Sequence, residues 1–473
     1  MELDPILLSR IQFAFVVSFH AIFPVFTIGL ASYIAVLEGL HFKTGNPAWA
    51  KLSRFWIKVF AVTFGMGVVS GIVMSFQFGT NWSNFSQMSA NFLGPILSYE
   101  VVTAFFLEAV FLGVLLFGRD KVPRGTHLFA AIMVALGTFI SSFWILSANS
   151  WMHTPAGFEF REGVVHVTSW AESIFNPSMP YRLAHMLLAS MLTAGFVVAG
   201  VCAYYLLRHR AVEMNRKALS MTLWVLLAAA PLQVLVGDLH GLNSFEHQPM
   251  KVAAMEGHWE TQRGAPLYLF AIPDSAQETN HFALGIPNAA SLILTHEWDG
   301  EVPGLKEVPA AERPPVGPVF WSFRVMVGIG FLLLIAALWG AWLRWRGTLY
   351  SNTRFLTLLQ WTIPLPFIAV LAGWFVTEIG RAPFLIYGEM TFAEGITPSL
   401  TGGMALFSLI GYVVVYAVVF TAGIYYLTRI VRKGPETDEH VEAPHHAKRP
   451  WSAADIPFDD DYRPSPVGSE GWR

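Results

Sequence analysis

The chain has 473 residues, 54% of them hydrophobic, 14% aromatic and only 13% charged. A soluble domain carries about 25% charged residues, so this composition excludes an ordinary soluble class and points to a polytopic membrane protein. A net charge of −3 speaks against a nucleic-acid partner, and the single cysteine, Cys202, excludes a disulfide framework, a Cys-ligated iron–sulfur cluster and haem attachment through C-x-x-C-H.

A membrane span needs about 20 apolar residues. The first candidate is Ile11–Leu37, free of charge until its end, with Asp4-Pro5 ahead of it suited to an N-cap and a first helical position. The N-terminus has no basic n-region and no small-residue cleavage site, so this first segment is expected to stay in the membrane. Further spans centre on Val59–Phe78, Leu97–Phe117, His127–Ala148, Leu183–Leu207, Leu219–Val236, Val319–Leu343, Leu356–Val376 and Gly403–Leu427. The sequence thus predicts an all-α membrane bundle of nine helices over residues 1–433, with the termini on opposite sides. Asp238–Gly317 is the one long connection and is too rich in Pro, Gly and acids to span. Residues 434–473 read as a mobile cytoplasmic extension, and no inverted repeat of the transporter kind is visible.

Lys and Arg fix the expected orientation. Lys43, Lys51, Arg54 and Lys58, then Arg119, Lys121 and Arg124, then Arg208, Arg210, Arg216 and Lys217, then Arg344, Arg346 and Arg354 fall on one side with Arg429, Arg432 and Lys433. The opposite loops are nearly free of them. The N-terminus is therefore expected outside and the C-terminus in the cytoplasm.

Few residues within these spans are ionisable or good metal ligands: His20, Glu100, Glu108, His185, Arg324 and Glu378, with Met326 as a soft ligand. With the orientation above, all of them are expected in the outer leaflet. Glu378 closes a long apolar run just before Gly380, Arg381 and Pro383. An acid at that place is a functional hypothesis by default, and an ion pair with Arg381 is the plain alternative. A lone His20 also suits a helix–helix hydrogen bond, His185 a solvated interface, Met326 gap-filling and Arg324 snorkelling. Glu100 and Glu108, eight residues apart, are expected about 80° apart around an α-helix and about 12 Å apart along it, as one polar path or one cofactor wall requires. Two His, a Met and a Glu make a set of haem axial ligands, with Arg324 placed to neutralise a propionate. A haem–copper oxidase would need about half a dozen membrane histidines, which the spans do not supply. A proton-coupled transporter using Glu100, Glu108 and Glu378 as carrier acids stays open on the residues alone.

Over almost the whole length to Lys433, the chain resembles subunit I of cytochrome bd-type quinol oxidases, including the cyanide-insensitive branch. The resemblance is carried by Leu8-Ser-Arg-Ile-Gln-Phe13 with His20, Phe78-Gly-Thr-Asn-Trp82, Glu100 with Phe105-Phe-Leu-Glu108, and Trp144-Ile-Leu-Ser-Ala-Asn149 with Trp151-Met152. It continues through His185, Lys251-Val-Ala-Ala-Met-Glu256, Trp259-Glu-Thr261, Phe323-Arg-Val-Met326 and Gly373-Trp-Phe-Val-Thr-Glu378.

The resemblance implies a quinol:O2 oxidoreductase of the bacterial cytoplasmic membrane that builds a proton gradient without a pump. It implies His185 and Met326 as the axial ligands of a low-spin haem b. His20 and Glu378 become ligands of a high-spin haem b and a haem d (or a third b-type haem), in an order left open. Arg324 and Trp374 would support haems. Glu100 would lie beside the haem pair, and Glu108 with Ser141 or Ser142 on the proton path. Lys251 and Glu256 match positions of quinol binding and oxidation in the long loop, with ubiquinol or menaquinol as donor. A second subunit, and a small single-helix one, are the implied partners. The family's Gly-Arg-Gln-Pro-Trp stands here as Gly380-Arg-Ala-Pro-Phe384, and the loop is of the short form.

Overall fold

A computed structural model describes residues 3–435. Among them are nine helices long and apolar enough to cross a membrane. Lipid offers a backbone no hydrogen-bond partners, so each apolar run must close its own i→i+4 ladder. The helices are longer than the runs that announce them: Pro5–Thr44, Pro47–Thr80, Ala90–Phe117, Arg124–His153, Met179–Leu206, Val212–His247, Val316–Trp345, Thr353–Ile379 and Gly402–Lys433. Caps explain several ends. Asp4 Oδ1 accepts from the Ile6 N–H at 2.8 Å with Pro5 next, as the sequence leads one to expect, and Asn46 repeats the pattern before Pro47. The eighth helix comes in two pieces, Thr353–Trp361 and Leu365–Ile379, broken around Pro364.

Successive helices alternate direction. One end of the bundle, the basic end, carries the short Lys/Arg-rich connections. The other, the loop end, carries the long ones. The connection expected over Asp238–Gly317 is shorter than the composition suggests, because the sixth helix runs on to His247 and the seventh starts at Val316. What lies between is folded. It holds a helix, Pro249–Glu256, and an antiparallel hairpin of Leu267–Asp274 with Thr279–Ile286. A second hairpin, Phe158–Arg161 with Val164–Val167, sits between the fourth and fifth helices. The fold is mostly helical, with small sheets confined to the loop end. The expected extension beyond Pro435 lies outside the described residues.

The main core fills the basic half of the bundle around Leu30, Ile34, Phe60, Phe196, Leu223 and Leu359. A smaller one, with Trp82, Phe92, Trp151 and Ile386, closes the loop end. The first helix packs on the second, fourth, fifth, eighth and ninth. The fifth to eighth helices form a second group in which the sixth touches both the fifth and the seventh.

Candidate functional site

The fourth helix is the spine of the site. Gly137, Ser141, Asn149 and His153 lie on one i±4n ridge of it, about 24 Å from end to end. Each meets a polar side chain from another element. A Cβ at Gly137 would stand 2.5 Å from Glu108 Cγ, Ser141 Oγ donates to Glu100 Oε1 at 2.8 Å, and Asn149 Nδ2 donates to Glu378 Oε1 at 2.8 Å. At the loop end, His153 Nδ1 lies 3.0 Å from Lys251 Nζ.

The third helix reaches this ridge by a local departure from α geometry. Val101–Phe105 form a π turn between Glu100 and Glu108. A π turn holds one more residue than an α turn, so the expected 80° offset shrinks and both acids meet successive turns of one neighbour. Glu108 also lies past the midpoint of Ala90–Phe117, toward the basic end.

His20 Nδ1 is 2.9 Å from Ser70 Oγ, whose own hydroxyl donates to the Gly67 carbonyl at 2.9 Å. The serine oxygen therefore accepts from Nδ1–H, which leaves Nε2 as the ring nitrogen with a free lone pair, the state a metal requires. Gly71 backs the ring, where a Cβ would come within 3.1 Å of Cε1. Met326 sits likewise over Gly373, where a Cβ would stand 3.0 Å from its sulfur. His185, on the fifth helix, has Nε2 3.2 Å from the Gln233 amide nitrogen, while buried His185 Nδ1 and Gln233 Oε1 have no partner. The His185 and His240 rings stand 5.5 Å apart. The helices bearing His185 and Met326 both pack on the sixth.

Glu378 ends the eighth helix. Its Oε2 accepts from Arg381 at 2.5 Å, so the ion pair suggested by the i,i+3 spacing is present. Around it the structure gathers more cations than the carboxylate balances. Arg182, buried to 6% exposure, reaches Asn149 Oδ1 at 3.4 Å, and Lys251, 3% exposed, donates to Gln248 Oε1 at 2.6 Å. Buried Arg381 Nε and Nη1 have no partner. Burial first, then Arg182 and Arg381, holds the Lys251 ammonium well below the usual lysine range. Two buried guanidiniums, and a lysine whose charged form they disfavour, face one carboxylate. An uncompensated buried charge costs about 3–5 kcal/mol, a large part of a fold stability of about 5–15 kcal/mol, so the cluster is built for a further anion. A porphyrin's propionates are such anions, and the set of one free-lone-pair His, a second His, a thioether and a carboxylate fits haem iron.

Arg324 does not belong to that cluster. Its Nε donates to the Tyr268 carbonyl at 2.6 Å, Nη1 to the Met255 carbonyl at 2.9 Å and Nη2 to Glu256 Oε2 at 2.9 Å. All three nitrogens hold the long loop, and the unpartnered guanidinium nitrogens here are those of Arg381. Lys251 and Glu256 share the helix Pro249–Glu256 but diverge, Lys251 toward the Glu378 cluster and Glu256 toward Arg324. Lys251 lines a cavity of about 160 Å³ with Met250, Glu312, Gly380, Phe384 and Tyr387. Trp374 is one turn before Glu378 on the same helix and half-buried.

More ionisable groups lie inside the helices than inside the apolar runs, because most helices outrun those runs. Glu38, His127, His153, Arg182 and His240 are helical as well. Arg182 looked like a loop residue, yet it lies one turn before His185.

The chain matches the family model for cytochrome bd terminal oxidase subunit I over residues 8–435. It is 35% identical to the cytochrome bd ubiquinol oxidase subunit 1 of Bacillus subtilis (strain 168), covering 93% of this chain and 97% of the relative. It is 34% identical to the cytochrome bd-II ubiquinol oxidase subunit 1 of Escherichia coli (strain K12), over 91% and 97% of the two chains. Among solved structures, the bd oxidase from Geobacillus thermodenitrificans matches with a TM-score of 0.83 and 33% identity, over 92% of this chain and 100% of that one. The chain belongs to the cytochrome bd terminal oxidase subunit I family. It is an oxidoreductase subunit of a respiratory terminal oxidase, a multi-pass protein of the bacterial cytoplasmic membrane from a family whose oxidases bind haem.

Proposed function

We propose that this subunit oxidises quinol at the loop end of the bundle and passes the electrons through three haems to O2, with the N-terminus outside and the tail in the cytoplasm. His185 and Met326 are assigned to a low-spin haem b. His20, through Nε2, and Glu378 are assigned to a high-spin haem b and a haem d or third b-type haem, with Trp374 beside Glu378. Bound haem supplies one-electron carriers and the iron at which O2 is reduced. The observation that carries the reading is the excess of buried cations around Glu378, one of which, Lys251, also lines the cavity beneath the loop.

The chain's own residues do the rest. Lys251 presents an ammonium to a quinol headgroup in that cavity. Glu256, held by Arg324, anchors the loop helix and takes a proton as quinol is oxidised, so that two quinols yield four protons outside. Four protons must be drawn from the cytoplasm to make two waters from O2, and Glu108 then Glu100, on successive turns of the third helix against Gly137 and Ser141 of the fourth, form the inner part of their route. Each charge moved across 100 mV stores about 2.3 kcal/mol, so uptake from one side and release on the other builds a gradient with no pumping element. A second subunit is the expected partner, since the relatives named here are subunits 1, together with a small single-helix subunit. The quinol is ubiquinol or menaquinol.

The test is extraction and identification of the haems of the purified complex, together with Glu256→Gln. The variant is expected to lose most quinol oxidation while artificial donors still reduce its haems. A colourless complex, or unaltered quinol turnover in the variant, refutes the corresponding half.

A further inference from the structure

The fourth helix ends on His153, whose side chain is 0% exposed. Its Nδ1 lies 3.0 Å from Lys251 Nζ. Its Nε2 lies 3.5 Å from Glu378 Oε1, beyond hydrogen-bond range, and has no hydrogen-bond partner. One buried ring thus stands between the lysine that lines the cavity and the carboxylate that closes the eighth helix. Its two neighbours have opposite demands, since an ammonium only donates and a carboxylate only accepts. A neutral imidazole with Nδ1 accepting from Lys251 and Nε2–H aimed at Glu378 meets both. A ring turned the other way would point its N–H at the ammonium.

We propose that His153 is a positioning residue that holds Lys251 against the cavity and directs an N–H at Glu378, so that quinol docking and the donor strength of the carboxylate depend on one buried bridge. The role rests on Lys251 facing quinol and Glu378 facing haem iron, as proposed above. A side-chain amide carries the same pair of functions, one acceptor and one donor. Leucine fills similar space and carries neither.

In the purified oxidase complex, His153→Leu is expected to raise the KM for ubiquinol-1 about tenfold, as loss of a hydrogen bond to a charged group implies, and to raise it by more than it lowers kcat. It is also expected to lower the midpoint potential of one haem in a spectroelectrochemical titration, because the carboxylate loses the N–H that draws on its charge. His153→Gln is expected to restore both. A space-filling role gives the opposite order, with Leu near wild type and Gln impaired, and that order overturns the proposal. Wild-type KM and potential in both variants overturn it as well. If His153→Leu does not assemble, judged by haem extraction, His153→Asn takes its place with the same expectation, being too short to span both partners. Failure of the underlying reading has another signature. Glu378→Ala that keeps every haem band removes the haem assignment, whereas Glu378→Ala that loses a haem beside an unmoved His153 series removes only the bridge.

Discussion

Two polar clusters are buried at opposite ends of this bundle, and they are built differently. At the basic end, Glu38 accepts from Ser53, Arg119 and His127, the last at 3.0 Å, and the other ring nitrogen of His127 lies 3.1 Å from the Leu115 carbonyl. Each ring nitrogen of His127 thus has an acceptor within reach. None of these side chains is among the buried groups without partners. At the loop end, Arg182, Lys251 and Arg381 surround Glu378 alone, and atoms of His153, Gln248 and Arg381 are buried without partners. A satisfied cluster ties helices together. An unsatisfied one with surplus charge awaits something, and the difference separates a staple from a binding site without reference to any relative.

That contrast can be broken most forcefully at Glu38. Glu38→Leu strands Arg119 and His127 and is expected to destabilise the subunit by about 3–5 kcal/mol, seen as loss of assembled complex, while the surviving complex keeps its haem-to-protein ratio. A changed ratio would make the basic end a cofactor site too. The complementary change, Met326→Leu, is expected to leave assembly intact and abolish the low-spin haem signal in a reduced-minus-oxidised spectrum, and an unaltered spectrum removes Met326 as a ligand. Glu108→Gln sits between the clusters. It is expected to slow O2 reduction at least tenfold with all haems retained, since acid–base groups contribute about 10²–10⁴-fold, and wild-type turnover dismisses the relay.

The smallest effect lies on the loop surface. Arg313, 2.6 Å away, and then Lys306 hold the Glu278 carboxyl below its usual range. A carboxylate with a depressed folded-state pKa stabilises above its unfolded value of about 4.3 and loses that contribution as pH falls through the folded one. Loop protection in hydrogen exchange should therefore drop slightly below about pH 4, and Glu278→Gln should abolish that step. An identical pH profile in the variant would show that the pair contributes nothing.

Part of the site's geometry is legible in the chain alone. The spacing of Glu378 and Arg381 announces an ion pair and the structure contains it. The cap at Asp4-Pro5 was readable in the same way. The angle between Glu100 and Glu108 differs from the α-helical expectation, because nothing in Val101–Phe105 marks a π turn. His153 carried no signal at all, since Lys251 is 98 residues away in the chain and the imidazole gains its meaning only from that meeting.

The sequence by itself determined the class, the number of spans, their alternation and the presence of costly polar residues among apolar ones. Those follow from a local rule: a backbone in hydrocarbon must satisfy itself within about 20 residues. Only the tertiary structure decided which of these polar residues meet. Asn149 and Glu378, 229 positions apart, come together because the first and fifth helices each pack on both the fourth and the eighth, and packing between distant segments leaves no trace in local hydropathy.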